Sequence, residues 1–221
     1  MINAGDSRTW GGLSFRLAVT GIALVIWFWT QSLIGHRSAP SSGLGDALHA
    51  VTAGLNSYFY RSPAAANALL IFSSALIDAL GLFLLGRWLL GPSVRPFLGL
   101  LLLLGLRQIM QAICALPAPP NMIWHYPGFP SLLVTYNVGN DFFFSGHTAI
   151  AVFGGMELAW LGKRWLTSLA LVMVLFEIAT VLILRAHYTM DVFTGIIAAL
   201  WVAQVSRSLS PYLDAGLSRA Q

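Results

Sequence analysis

The stretch "NDFFFSGHTAIAV", Asn140 to Val152, decides how this chain is read. It carries His147 between Gly146 and Thr148, at the mouth of an apolar run. Forty residues after that histidine, "RAHYTMDV" brings His187 and Asp191 into a second apolar run. Ionisable side chains are costly inside lipid and are functional there by default. The reading therefore turns on whether lipid is the solvent.

Composition answers that it is. Of 221 residues, 57% are hydrophobic and 9% charged, with a mean hydropathy of +0.74. A soluble domain carries about 25% charged residues. The net charge of +4 is small and its basic residues are scattered, which argues against nucleic acid as a partner. Cys114 stands alone, so no internal disulfide forms. No repeat, low-complexity run or linker divides the chain, and residues 1–221 read as a single membrane domain.

Working outward from His147, six apolar segments appear: Leu13–Gly35, Ala64–Gly86, Pro96–Leu116, Gly146–Leu161, Trp165–Leu184 and Tyr188–Val205. Each approaches the roughly 20 apolar residues a span needs. The expected fold is all-α, a polytopic membrane protein with about six transmembrane helices. The first segment stays a span, because its apolar run outlasts a signal-peptide core and no small-x-small site follows at once.

Loop charges orient the spans. Arg8, Arg16, Arg87, Arg95, Lys163, Arg164, Arg207 and Arg219 fall on one side; Arg37, Arg61 and Arg185 fall on the other. The positive-inside rule makes both termini cytoplasmic. His147, His187 and Asp191 then lie at the exoplasmic face, which is periplasmic in a bacterial inner membrane and lumenal in a Golgi-type one. Outside the spans, Leu44, Leu48, Val51 and Leu55 in Gly43–Asn56 have near-helical spacing and suit an interfacial helix. Leu116–Val134 is too rich in proline for a regular helix. It reads first as a surface loop, with a lid or lipid-entry element as the alternative.

The ionisable residues suggest phosphorus chemistry. Asp191 follows His187 by four residues, one helical turn, so its carboxylate is expected to hydrogen-bond one ring nitrogen and leave the other as nucleophile or base. Ser145 is a good N-cap, and the free N–H groups from Gly146 onward form an anion cradle beside His147. Arg185 offers a forked donor for phosphate oxygens. His187 would attack phosphorus, Asp191 would orient it, and His147 would protonate the leaving oxygen. Two histidines and a carboxylate also suit zinc, although the Ser–Gly–His cradle favours an anion. The bland alternative is that all three merely anchor helix ends at the interface. Deeper in the spans, Arg107 needs a partner, for which Asp78 is the candidate, while Glu157 and Glu177 read as hydrogen-bonding groups between helices. Acids in spans also fit a proton-coupled transporter, but the paired halves with broken helices are missing.

"SGHT" followed by "HYTMD" resembles the type 2 phosphatidic acid phosphatase superfamily, and more closely its sphingomyelin synthase branch. Phe144 stands where the phosphatases have proline before the serine, and Val181 where their third motif has arginine. "GRWLLGPSVRP" lacks the lysine of their first motif. The synthase pattern is met by Asp141 ahead of the Ser–Gly–His, by Arg107 before "LPAP", by Asp78 with Gly81 and Gly86, and loosely by Asp46. The resemblance runs from Gly43 to Val205. It implies a catalytic triad of His147, His187 and Asp191. It also implies an exoplasmic site without metal or other cofactor, and transfer of a phosphocholine- or phosphoethanolamine-like group from a phospholipid donor to a ceramide-like or other lipid alcohol. A lipid phosphate phosphatase, with water as acceptor, is the runner-up. The partners expected are the bilayer and these two lipids, in a monomer or an oligomer.

Overall fold

The computed structural model describes residues 10–36, 44–136 and 142–219. Among them there is no strand. The elements are α1 (Trp10–Gly35), α2 (Ala47–Val51), α3 (Ala53–Arg61), α4 (Pro63–Leu90), α5 (Arg95–Ile113), α6 (Gly146–Ala159), α7 (Arg164–Ile183) and α8 (Thr189–Arg219). Five of these, α1, α4, α5, α7 and α8, are long and apolar enough to cross a membrane. The fourth expected span, Gly146–Leu161, is a helix of only 14 residues. At 1.5 Å per residue that is about 21 Å, less than a hydrocarbon core of about 30 Å.

The short helix is the centre of the bundle. Every residue of α6 from His147 to Gly155 is buried, and α4, α5, α7 and α8 all pack on it. Its sequence explains why: alanine and glycine on every face leave nothing to show to lipid and let neighbours approach. Helix α8 comes close at its start, where a Cβ on Gly195 would lie 2.7 Å from the Ser145 carbonyl. That contact brings the start of α8 against the start of α6 and sets the two histidine motifs side by side.

Acids inside the bundle join helices. Glu157 takes a two-pronged ion pair from Arg95, at 2.7 and 2.8 Å, and Ser73 donates to Glu177 at 2.7 Å. Both meet the expectation of interhelical bonding. The expected pair of Arg107 and Asp78 does not form. Asp78 accepts from the Ser131 hydroxyl and from the Leu132 and Leu133 N–H groups at 2.9–3.0 Å. Its carboxylate finds backbone amides before it finds a guanidinium, because the loop after α5 dips between the helices.

That dip corrects the surface-loop expectation. Leu133 and Val134 are buried in the main core, and Trp124 donates to the Thr135 carbonyl at 3.0 Å. The segment thus roofs the end of the bundle where α6 begins. The interfacial helix expected over Gly43–Asn56 is two helices, α2 and α3, meeting at Thr52. His49 and Asn56 face inward, while Leu44, Leu48, Val51 and Leu55 stay exposed as an apolar stripe. A stripe of that kind suits the lipid interface. At the far end α8 outlasts its expected limit at Val205, and Asp214 caps the start of α5 through the Val94 N–H at 2.7 Å.

Candidate active site

The turn from α7 into α8 fixes His187. Helix α7 closes with Ala186 N–H on the Val181 carbonyl (2.9 Å) and Arg185 N–H on the Leu182 carbonyl (3.2 Å), the paired bonds of a Schellman motif. Arg185 takes the left-handed position usually given to glycine, with φ +54°. Such strain costs on the order of 1 kcal/mol. The Arg185 guanidinium offsets it by donating to the Pro120 carbonyl (2.8 Å) and the His49 carbonyl (3.3 Å). Arg185 is therefore a clasp between turn and loop, and it is not brought to the cavity that His187 lines.

Helix α8 starts only at Thr189, so His187 stands before it. Tyr188 acts as the cap. Its carbonyl accepts from Asp191 and Val192 N–H, and the Asp191 carboxylate reaches back to the Tyr188 N–H at 2.9 Å. This is one half of a capping box, with the acid at the third helical position. The expected bond from Asp191 to the imidazole is replaced accordingly. His187 Nδ1 lies 2.8 Å from the Phe142 carbonyl and 3.8 Å from Asp191 Oδ2. A carbonyl only accepts, so Nδ1 carries the proton and Nε2 keeps its lone pair. Asp191 is fully buried beside that ring, and its Oδ1 has no partner among the described residues.

Helix α6 supplies the other half. Ser145 Oγ accepts from Thr148 N–H, and Ser145 N–H is held by the Asp191 carbonyl at 3.1 Å. Among the described residues the N–H groups of Gly146 and His147 have no partner and are the orphan donors of the first turn. Arg107, on α5, lies across this helix start: a Cβ on Gly146 would come within 2.8 Å of Arg107 Nε. A side chain there would push the guanidinium from its place. Arg107 Nη1 also donates to Gln31 Oε1 of α1 at 3.0 Å.

These groups meet in one cavity of about 30 Å³, lined by Arg107, Gly146, His147, His187, Trp124 and Trp27, among others. That is room for about two waters. His147 Nε2 is buried without a partner among the described residues. Trp124 stands edge-on to the His147 ring with centroids 5.1 Å apart, and Tyr136 lies 5.2 Å beyond it. Burial, with the Asp78 and Glu177 charges, pushes the Tyr136 phenol above its ordinary value despite a hydrogen bond with Ser74. It stays neutral. Of the residues singled out from sequence, His147, His187, Gly146 and Arg107 line this cavity. Ser145 and Asp191 support it from behind, and Asp78 holds down its roof. Asp141 lies outside the described residues. No group of three histidine, cysteine or acidic residues arranged for a metal occurs among the described residues.

Sequence reasoning missed several residues. Trp124 and Gln31 left a signal: an aromatic in the proline-rich loop and a lone amide at the end of an apolar span. Asp46 was matched only loosely. It caps α2 through Leu48 and His49 N–H and holds the start of α8 through Thr189 N–H (2.5 Å) and Oγ1 (2.6 Å). His49, whose Nε2 lies 2.9 Å from the His187 carbonyl, was not foreseen.

A sequence model of the AtPDCT1/2 family matches residues 45–208, about three quarters of the chain, a span that includes His147, His187, Asp191, Arg107 and Trp124 and leaves out Trp27 and Gln31. The chain belongs to the AtPDCT1/2 family. Within it, the chain is 29% identical over 178 residues to a phosphatidylcholine:diacylglycerol cholinephosphotransferase 1 of Arabidopsis thaliana. That alignment covers 78% of this chain and 54% of the plant protein, so the chain spans about half the length of its curated relative. No solved structure matches it. Its five long apolar helices agree with an integral membrane protein.

Proposed function

We infer that the protein moves phosphocholine from phosphatidylcholine to a lipid alcohol through a phosphohistidine intermediate. The observation that carries this reading is the single buried cavity joining His187, His147, Arg107 and the start of α6. The relative's name supports diacylglycerol as the acceptor. In this reading the side chains around the small cavity move apart to admit the headgroup, and the phosphate sits on the Gly146 and His147 N–H groups and the Arg107 guanidinium. His187 Nε2 attacks phosphorus in line. The bond from phosphorus to the glycerol oxygen breaks, and His147 gives that oxygen its proton, releasing diacylglycerol. An incoming lipid alcohol then loses its proton to His147 and attacks phosphorus, and the phosphorus–nitrogen bond breaks. Asp191, buried behind the ring, stabilises the positive imidazole of the intermediate. The trimethylammonium rests against Trp124 and Tyr136, whose ring faces attract such cations.

The chain crosses the membrane six times in this account, with both termini cytoplasmic and the cavity exoplasmic. Helix α6 is short because the roof loop re-enters to meet it. Non-helical backbone is tolerated at membrane depth where protein covers it. The cation-poor end of the bundle is the end that holds the cavity, as the positive-inside rule asks.

The test is a three-acceptor assay. Purified protein receives phosphatidylcholine with an isotopically labelled headgroup, together with diacylglycerol of different acyl composition, ceramide, or neither. Mass spectrometry reads the products, with and without a chelator. Label in the second phosphatidylcholine species supports the reading. Label chiefly in sphingomyelin gives the sphingomyelin synthase type of activity suggested by the resemblance. Free phosphocholine alone makes the protein a hydrolase and refutes transfer.

A further inference from the structure

A second cavity, of about 160 Å³, lies between α1, α4 and α5. Its walls are apolar apart from Thr20, Thr30 and Gln108. Thr30 is spent on its own helix, donating to the Ile26 and Trp27 carbonyls at 2.9 and 3.0 Å. The Gln108 amide donates to Gln31 at 3.1 Å. This groove shares two walls, Trp27 and Leu104, with the cavity of His147 and His187.

Its direction is set by the helices. Chains α1 and α5 run the same way, so Thr30 and Gln108 mark the end near the histidines, and Thr20 and Phe97 mark the deep end. From Thr30 to Thr20 is ten residues, or about 15 Å along the axis. The groove is therefore long, apolar and parallel to the spans, with one end beside the cavity of Arg107. A phospholipid whose phosphate sits at Arg107 and Gly146 has its glycerol at Trp27 and Leu104. Its hydrocarbon continues from there, and water is excluded from so apolar a space.

We propose that the α1–α4–α5 groove binds an acyl chain of the lipid substrate while the headgroup occupies the histidine cavity. This rests on the reading of that cavity as a headgroup site. Chain length beyond the groove's mouth then contributes to substrate choice, and Gly105 is the residue that keeps the passage open. Gly105 lines the groove and a Cβ there meets nothing within 4 Å, so a larger side chain starts out into open space.

The experiment compares dioleoyl with dihexanoyl phosphatidylcholine as donors to the full-length protein. Gly105→Trp should lower kcat/KM for the long donor relative to the short one by about tenfold or more, as misfits of even a methylene in apolar pockets do. Leu101→Trp, one turn deeper, should shift the same ratio for the long donor less. Gly21→Leu, on the part of α1 away from the groove, also meets nothing within 4 Å and should leave the ratio as in wild type. A phosphatidylcholine carrying a terminal diazirine on one acyl chain gives a readout without turnover. Its adducts should fall on α1 and α5 and fade in Gly105→Trp. An unshifted ratio in both tryptophan variants, or adducts spread evenly over all lipid-facing helices, overturns the groove as a substrate site. If wild type transfers no headgroup, the headgroup reading falls instead, and the adduct map alone decides the groove.

Discussion

Replacing Asp78 with leucine removes the anchor of the roof over the histidine cavity. The carboxylate accepts from three donors: the Leu132 N–H, the Leu133 N–H and the Ser131 hydroxyl, all at 2.9–3.0 Å. Hydrogen bonds to a charged acceptor are worth about 1.5–3 kcal/mol each. Asp78 is only partly buried, so water recovers some of the loss. A net cost of about 3 kcal/mol is expected, concentrated in residues 131–136. Asp78→Asn should lose less, since its amide oxygen still accepts one N–H. The assay is thermal unfolding in detergent with hydrogen exchange over the roof and headgroup transfer in parallel. Folded Asp78→Leu protein should exchange faster at Leu132 and Leu133 and turn over poorly, because the roof no longer excludes water. Arg107→Leu should add its own loss, and the double Leu variant should not recover, as expected when two residues share no bond. Unchanged exchange in Asp78→Leu would refute the anchoring. Recovery in the double variant would restore the Arg107–Asp78 pair that the geometry replaces.

Three further outcomes follow from contacts elsewhere. Arg95→Leu strands the fully buried Glu157 and should cost about 3–5 kcal/mol in detergent unfolding, while the double Arg95→Leu, Glu157→Leu variant should regain much of it. For Asp46, burial pulls the carboxyl upward, but hydrogen bonds from the Thr189 hydroxyl, the Thr189 N–H and the His49 N–H, with the His49 charge, outweigh it and hold it below the usual aspartate value. A depressed carboxylate contributes stability that is complete above the unfolded pKa near about 3.9 and is lost as pH falls through the lower folded value. The Tm gap between wild type and Asp46→Asn should hold above the unfolded pKa and close as pH falls through the lower folded value. With Cys114→Ser as background, Phe129→Cys should react with an impermeant thiol reagent applied to the exoplasmic side of intact cells or vesicles. Labelling only after the membrane is opened would reverse the orientation.

How much the sequence disclosed depended on how local each cause was. Ser145 before Gly146–His147 foretold a capped helix, because a cap needs only its own next three residues. The partnership of His187 with Asp191 was half legible. Four-residue spacing brings them close, yet spacing alone does not say that the helix starts at Thr189. Asp191 is spent on the Tyr188 N–H, and the partner of His187 is the backbone of Phe142, which no side-chain pattern can reveal. Asp78 went astray for a related reason: its partners are amides of a loop far along the chain. The hydropathy of the fourth apolar segment gave no hint that protein and not lipid would surround it, because hydropathy does not distinguish lipid from neighbouring helices. Its glycines and alanines on all faces were the sign of burial inside protein. Glu157 and Glu177 were read correctly as interhelical groups, since an acid in an apolar helix must find a donor on another one.

The most direct test of the account is to trap the intermediate. Wild-type protein is incubated with headgroup-labelled phosphatidylcholine and no acceptor, quenched in alkali, where phosphohistidine survives, and digested for mass spectrometry. The account predicts phosphocholine on the peptide containing His187, absent from His187→Ala and discharged when diacylglycerol is added before quenching. Headgroup transfer by the wild type with the adduct on any other residue, or sustained transfer by His187→Ala, would contradict it.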